Sequence, residues 1–271
     1  MASDGDDVKG GLVTDERRDH LQTLERGLSV IAAFSGRGPL LGVAELAQLT
    51  GLTKPIVRRI MLTLERLGYA RASDGRFALT PKVLTLGHAY LSSVRLTDVA
   101  RPLMEQLTDE LGLSVTLAAL DGGDVVYVDR VQRGRRFSVT LAAGTRLPAY
   151  ATSLGHVLLA FATPAEVEAV LGSGPLPALT ERTLTEPAAL RDRLVLVRER
   201  GWDAVDQEME IGRRSAAAPI FDADGRAIAA LALSAGTVEC SMQRLTSELL
   251  PPLRAAAGAI SEALGAGLRA S

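Results

Sequence analysis

Two adjacent arginines, Arg58 and Arg59, stand in the middle of the segment "GLTKPIVRRIMLTLERLGY", with Lys54 one helical turn before them. Such side chains bind polyanions, because a guanidinium forms paired hydrogen bonds with a guanine edge and an ammonium neutralises phosphate. The apolar residues of the segment fall at helical spacing, which leaves the three cations beside or opposite the apolar stripe. The pattern predicts a helix that presents cations for DNA; the alternative is an ordinary solvated helix face.

A second set of residues could bind a small acid. In "LAAGTRLPAYATSLG", Thr152 and Ser153 stand at a predicted helix start, where free backbone N–H groups and the helix dipole favour an anion. Arg146 precedes them and the pair Arg213 and Arg214 follows later, so charge-assisted hydrogen bonds to a carboxylate are available. The alternative for each residue is structural, as a capping hydroxyl or a surface arginine.

Candidates for catalysis are weaker. Ser153 and His156 could touch on a helix, but no nucleophile elbow or third triad member is evident. The carboxylates of Asp206, Glu208 and Glu210 alternate without a paired base. The sequence contains no dinucleotide-binding or P-loop motif, and one cysteine with three separated histidines gives no zinc-ligand cluster. No catalytic residue, metal or cofactor is therefore predicted.

The charges divide this chain of 271 residues into two parts. Residues 20–97 carry a net charge of +6, whereas the remainder carries −8. This asymmetry favours a small module that binds a polyanion, joined to a larger module with another task. No apolar run reaches the length of a membrane span and the first residues lack a signal-peptide core, so a cytoplasmic protein that binds no membrane is expected.

The basic module, residues 20–80, has the pattern of a winged helix-turn-helix. An apolar stripe from Leu21 to Phe34 predicts a first helix, and a second at "GVAELAQLT" is followed by a tight turn at Gly51. Thr53 is a candidate N-cap of the third, recognition helix, and "YARASDGRFALT" predicts a β-hairpin wing. The predicted DNA-binding residues are Thr53, Lys54, Arg58, Arg59, Arg71 and Arg76.

The rest of the chain supplies a tail, a connector and a larger domain. Residues 1–19 are rich in Gly and Asp and are predicted to form a flexible tail. Residues 81–97 predict a linker helix with a wide apolar face, which favours a homodimer; the alternative is packing on the next domain. Residues 98–271 predict an α+β domain with an antiparallel sheet, including a hairpin at 114–132 and a third strand at 136–144.

Five segments carry a resemblance to a known family. They are "RGLSVIAAF", "ELAQLTGLTKPIVRRIMLTLERLGY", "GRFALTPKVLTLG", "LPAYATSLGHVLLA" and "ERGWDAVDQEMEIGRRSAAAPIFDADGRAIAALALS". From about residue 20 onward, the sequence resembles the IclR family of bacterial transcriptional regulators. The resemblance implies a homodimer or a tetramer, an N-terminal winged helix-turn-helix on double-stranded operator DNA, and a C-terminal effector-binding domain of GAF/PAS-like shape.

The resemblance also implies an effector pocket under the helix of "ATSLG". Carried over by matching motif, its contacts are Val139, Leu147, Ser153, Leu154, Asp206, Arg213, Ser215, Ala232 and Ser234, and the charge argument adds Arg146. The sequence departs from several members of the family at three of these positions. Ser215 replaces a cysteine, Ala232 replaces a serine and Arg213 replaces an apolar residue. Lys54 and Pro55 also replace the usual Ser-Thr of the recognition helix, so the operator is not inherited.

The segment "DRVQRGRRFSVTLAAGTRLPAYATSLGHVLLA" is similar to the subgroup that controls aromatic-acid breakdown, the pca-type regulators. That similarity implies a small mono- or dicarboxylate effector, with protocatechuate and β-ketoadipate as candidates and Arg146 and Arg213 as its charged partners. Three alternatives stay open. They are a regulator of a different small-acid pathway, an enzyme built on the α+β domain, and a constitutive DNA-binding scaffold with a vestigial pocket.

Overall fold

A computed structural model describes four ranges of the chain: residues 20–35, 39–86, 96–132 and 143–266. The chain divides into two compact units, residues 1–90 and 91–271. The tail predicted at 1–19, part of the linker helix predicted at 81–97 and nearly all of the strand predicted at 136–144 lie outside the described residues.

Three helices and a small sheet form the first unit. The helices are α1 (Gln22–Ala32), α2 (Val43–Thr50) and α3 (Lys54–Arg66). The strands are β1 (Leu41–Gly42), β2 (Ala70–Ser73) and β3 (Arg76–Leu79), paired antiparallel in the order β1-β3-β2. Their shared core contains Val30, Leu41, Leu46, Val57, Met61, Leu64, Ala70 and Phe77. The predicted helices and hairpin are confirmed.

Two residues determine the turn of the wing. Ser73 pairs with Arg76 across the hairpin, so only Asp74 and Gly75 connect β2 to β3. Both have positive φ, 51° and 75°. A type I′ turn requires this conformation at both central positions, and Asp-Gly is a favoured pair for it. The tight turn therefore follows directly from the "SDG" of the sequence.

The apolar stripe of α1 faces solvent over its first two turns. Leu21, Leu24 and Leu28 are 72%, 59% and 53% exposed, whereas Val30 is fully buried. Helix α1 contacts α2 and α3 through an adjacent face that includes Val30. The helical spacing predicted the helix correctly, but three of its leucines lie outside the core of this unit.

An antiparallel sheet of six strands is the centre of the second unit. Its strands are β4 (Ser114–Asp121), β5 (Asp124–Val131), β6 (Arg146–Pro148), β7 (Asp203–Asp206), β8 (Arg213–Phe221) and β9 (Ala227–Gly236), in the order β6-β5-β4-β9-β8-β7. Every neighbouring pair is antiparallel. The predicted α+β class is confirmed, and the short strands β6 and β7 are additions to the prediction.

Helices cover both faces of this sheet. They are α4 (Leu96–Leu111), α5 (Ser153–Phe161), α6 (Pro164–Leu171), α7 (Pro187–Arg200), α8 (Met242–Arg244) and α9 (Leu250–Ala263), with a π-helical turn between α8 and α9. Helices α4 and α9 pack on one face, and α5 packs on the other with α7 against it. No helix within the described ranges is long and apolar enough to cross a membrane.

Small residues bring α5 close to the sheet. In β9, Leu231 and Leu233 point to the face covered by α4 and α9, whereas Ala230 and Ala232 point to α5, as the alternation of a strand requires. Within α5, a Cβ added at Gly155 would lie 2.0 Å from the carbonyl oxygen of Ala149. Only glycine fits this approach, which lets the first turn of α5 pack against the backbone of the short turn Ala149–Ala151 just before it.

Candidate functional site

Helix α3 separates its cations from its core residues. Val57, Met61 and Leu64 are buried, whereas Lys54, Arg58 and Arg59 are exposed. No carboxylate of the described residues lies within 4.0 Å of the charged groups of these three cations. The side chains are thus free to meet a polyanion. Thr53 occupies the N-cap position of α3, but its side chain forms no capping hydrogen bond.

The two wing arginines differ. Arg71 on β2 is exposed and, among the described residues, has no carboxylate partner. Arg76 on β3 donates two hydrogen bonds of 3.1 Å to the carboxylate of Glu45. Glu45 also accepts from the backbone N–H of Gly42 at 2.7 Å, at the start of α2. Arg76 therefore ties the wing to α2, a contact that competes with its predicted contact to DNA.

A cavity opens in the second unit, where the N-terminus of α5 meets the sheet. Its lining residues include three arginines, Arg130, Arg213 and Arg214, and two glutamates, Glu208 and Glu210. The remaining lining residues are Thr116, Tyr127, Leu147, Thr152, Ser153, Leu154, Val205, Met209, Ser215, Ala232 and Ser234. Seven of the residues predicted to contact an effector thus lie together: Leu147, Ser153, Leu154, Arg213, Ser215, Ala232 and Ser234.

The strand register explains why these residues share one face. Arg130 of β5 lies opposite Thr116 of β4, and Thr116 lies opposite Ala232 of β9. Ser234, two residues along β9, lies opposite Ser215 of β8. Directly paired residues point to the same side of an antiparallel sheet, so the rows form a continuous floor. Arg130 was absent from the sequence prediction because the register could not be read from the sequence.

Of the three arginines that line the cavity, only Arg130 has no carboxylate partner among the described residues. Within the described residues Arg130 has no carboxylate within 4.0 Å, and Arg213 has only the exposed Glu210, at 3.6 Å. Arg214 is already committed to Asp206, at 2.6 Å, and to the carbonyl oxygen of Cys240. Burial lowers the pKa of Arg130, and the charge of Arg213 lowers it further, although nearby Tyr127 opposes both. Three arginines and two glutamates thus line the cavity, and among the arginines Arg130 is left without a described carboxylate partner.

The hydroxyl groups at the start of α5 have two tasks. Thr152 caps the helix, since its Oγ1 accepts from the N–H of Gly155 at 3.0 Å. The Ser153 hydroxyl lies 2.8 Å from that of Ser215, across the cavity floor. Thr152 is thus structural, as the alternative reading allowed, while Ser153 and Ser215 form a hydroxyl pair beside the guanidiniums.

His156 of α5 and Asp203 of β7 form a buried ion pair. Both side chains are 0% exposed, and Nδ1 of His156 lies 2.6 Å from Asp203 Oδ2. Burial alone would lower the pKa of His156, but the hydrogen bond and charge of Asp203 outweigh it and raise that pKa. His156 also hydrogen-bonds the carbonyl oxygen of Tyr150 at 2.7 Å. Its ring nitrogens are therefore both engaged away from Ser153, so these two residues form no catalytic dyad.

The three carboxylates of the "DQEME" segment do not share one strand face. Asp206 ends β7 and Gln207 has a positive φ of 66°, which turns the chain before Glu208. Glu208 is buried, and its desolvation raises its pKa despite opposing charges from His156 and Arg193. Glu210 is exposed beside Arg213. Each carboxylate thus has a different environment.

Three residues of the predicted effector set are not brought to the cavity lining. Arg146 lies on β6 and pairs with Asp121 and, at 3.0 Å, with Asp124. The carboxylate of Asp206 is held by Arg182 and Arg214, each at 2.6 Å. Val139 lies outside the described residues. The charged groups of Arg146 and Asp206 are thus engaged in ion pairs within the protein, and neither residue lines the cavity as predicted.

Both units match models of one protein family. Residues 23–74 match the IclR helix-turn-helix domain, and residues 88–262 match the C-terminal domain of the bacterial transcriptional regulator IclR. Among curated proteins, the chain is 44% identical over 240 residues to the Pca regulon regulatory protein of Pseudomonas putida, covering 88% of this chain and 82% of that protein.

Solved structures of similar proteins support the same family. A transcriptional regulator from Rhodococcus sp. RHA1 is similar with a TM-score of 0.78 and 43% identity, over 90% of this chain and 98% of that one. An IclR homolog from Microbacterium hydrocarbonoxydans, complexed with 4-hydroxybenzoate, is similar with a TM-score of 0.79 and 28% identity, over 89% and 98%. The family models, the relative and the two structures cover both units, and the chain belongs to the IclR family of bacterial transcriptional regulators.

Proposed function

We propose that this regulator binds operator DNA through α3 and the wing, and that a small aromatic acid in the cavity of the second unit modulates this binding. Arg130 lines the cavity and has no carboxylate partner among the described residues, and this observation carries the effector half of the proposal. The aromatic class is supported by the similarity to a Pca regulon regulatory protein and to a homolog complexed with 4-hydroxybenzoate.

The effector's carboxylate is proposed to lie between Arg130 and Arg213. Of the two predicted charged partners, Arg213 lines the cavity and Arg146 does not, so Arg130 is proposed in place of Arg146. The hydroxyls of Ser153, Ser215 and Ser234 are available as further hydrogen-bond partners, with Leu147, Leu154 and Ala232 as apolar contacts. Protocatechuate and β-ketoadipate both carry the required carboxylate, and the fall in dielectric inside the cavity strengthens its attraction to the guanidiniums.

We also propose a division into a DNA-binding domain at 20–80, a linker at 81–97 and an effector-binding domain at 98–271, acting as a homodimer. The exposed leucines Leu21, Leu24 and Leu28 form an apolar strip on α1 that a second copy could cover. A dimer would present two recognition helices to a two-fold symmetric operator.

Replacing Arg58 or Arg59 by alanine is expected to weaken DNA binding by roughly 1–3 kcal/mol if the guanidinium contacts a base edge. Fluorescence anisotropy with DNA from upstream of the protein's own gene measures this. Arg254→Ala is the matched control, because Arg254 is an exposed arginine on α9 in the other unit. Unchanged affinity in both α3 variants would exclude the two arginines from the DNA contact.

A further inference from the structure

Glu208 has a buried oxygen without a partner. Glu208 is 7% exposed; its carboxyl group accepts a hydrogen bond from the backbone of Leu184, but its Oε2 atom forms no hydrogen bond with the described residues. Glu208 also lines the cavity, together with Ser153, Arg213 and Ser215. A polar atom that loses water without gaining a partner is unfavourable, and folded proteins leave few such atoms. An oxygen of this kind at a cavity is explained if a bound molecule supplies the partner.

The loop that carries Glu208 is fixed by its main chain. The carbonyl oxygen of Glu208 accepts from the hydroxyl of Thr183 at 2.7 Å, and the carbonyl oxygen of Gln207 accepts from Thr180 at 2.7 Å. The Gln207 side chain accepts from the N–H of Gly212 at 3.0 Å, which closes the loop. Glu208 is therefore held at the cavity on a rigid support, as a group that recognises a ligand must be.

The chemistry of a carboxyl group limits what can satisfy this oxygen. When ionised, Glu208 accepts a hydrogen bond; when protonated, it can also donate one. A hydroxyl group both donates and accepts, so it satisfies either state. A second carboxylate would be repelled by the ionised state, and a C–H group satisfies neither.

We propose that Glu208 hydrogen-bonds a hydroxyl group of the effector, so that the cavity prefers a hydroxylated aromatic acid to the same acid without that hydroxyl. This inference rests on the proposed function, in which Arg130 and Arg213 bind the carboxylate of the same molecule. The cavity then recognises two groups of one small ligand, an anion at the guanidiniums and a hydroxyl at Glu208.

The test compares ligands that differ only in hydroxyl groups. Calorimetric titration of the full chain with benzoate, 4-hydroxybenzoate and protocatechuate is expected to give a roughly 10- to 30-fold higher affinity for at least one hydroxylated acid than for benzoate. In Glu208→Leu, that preference is expected to fall to less than about threefold, because the loss affects the hydroxylated acids and spares benzoate.

Two further variants test whether the preference depends on a hydrogen-bonding group at position 208 rather than on any carboxyl group of the domain. Glu208→Gln keeps a hydrogen-bonding group at the position and is expected to restore most of the preference. Glu262→Gln changes an exposed carboxyl group on α9, outside the cavity, and it is expected to leave the preference unchanged. The melting temperature of Glu208→Leu is compared with that of the parent, because the substitution also removes the hydrogen-bond partner of the Leu184 backbone.

The outcomes are distinguishable. Equal affinities of the parent protein for all three acids, as expected if water satisfies Glu208 in the complex, overturn the inference and leave the proposed effector class intact. Persistence of the hydroxyl preference in Glu208→Leu also overturns it. Absence of heat with all three acids at millimolar concentration removes the proposed effector class itself, and the role of Glu208 with it.

Discussion

Asp203→Asn is expected to lower the free energy of unfolding of the effector-binding domain by about 3–5 kcal/mol. The Asp203 carboxylate is fully buried and contacts three cationic side chains, His156 at 2.6 Å, Arg193 at 2.9 Å and Arg200. A neutral amide leaves the buried imidazolium without its counter-charge, which is far more costly than losing a surface pair. Chemical denaturation of the two proteins measures the difference.

The pH dependence of stability gives the Asp203 prediction a second readout. The pKa of His156 is raised, so its stabilising contribution is complete below its ordinary pKa of about 6.5 and is lost as pH rises through the folded-state value. Burial would raise the pKa of Asp203, but His156, Arg193 and Arg200 lower it. Its contribution is therefore present above about pH 4 and is lost as pH falls through the lower folded-state value. In Asp203→Asn, the free energy of unfolding should change less with pH in both of these pH ranges.

Asp192→Asn is the matched control for Asp203→Asn. Asp192 is an exposed residue on α7, near Arg193 in sequence, and its replacement is expected to change stability by less than about 0.5 kcal/mol. A loss below about 1 kcal/mol in Asp203→Asn would show that the buried pair contributes no more than a surface one.

Arg130→Gln is expected to weaken binding of the aromatic acid by about 2–4 kcal/mol, which is roughly 30- to 1000-fold. The glutamine keeps part of the side-chain stem and removes the charge that has no carboxylate partner among the described residues. The acid's carboxylate would then be left with Arg213 alone, itself shared with Glu210. Calorimetry with protocatechuate and 4-hydroxybenzoate measures the loss.

Arg130→Gln should leave the fold intact or strengthen it. Burial and the like charge of Arg213 both oppose the charged form of Arg130, as its lowered pKa indicates. The control, Arg191→Gln, removes an exposed guanidinium that pairs with Glu168 at 2.8 Å, and acid affinity should not change. Normal acid binding by Arg130→Gln would place the carboxylate elsewhere in the cavity or outside it.

Elements with strong local signals could be predicted from the sequence. The wing follows from the positive-φ pair Asp74 and Gly75, and the face of α3 follows from the spacing of Val57, Met61 and Leu64. In each case, neighbouring residues alone determine the conformation. Short strands such as β6, which has three residues, carry too little pattern to be distinguished from a loop.

Features that depend on distant pairing could not be predicted. Arg130 enters the cavity because β5 pairs with β4 in one register, and a shift by one residue would turn it to the other face. Arg146, which looked available in the sequence, pairs with Asp121 and Asp124 across the sheet edge. Arg76 is similarly engaged by Glu45, 31 residues earlier. An isolated cation in a sequence does not reveal which carboxylate the fold brings to it.

The most direct test of the account measures one affinity in two conditions. DNA from upstream of the protein's own gene is titrated with the full chain, with and without saturating protocatechuate or 4-hydroxybenzoate, and binding is followed by fluorescence anisotropy. The account predicts that at least one of these acids changes the affinity by at least about fivefold in either direction, the lower end of allosteric coupling. Affinity that is the same with and without each acid would contradict the claim that the cavity controls the DNA-binding unit.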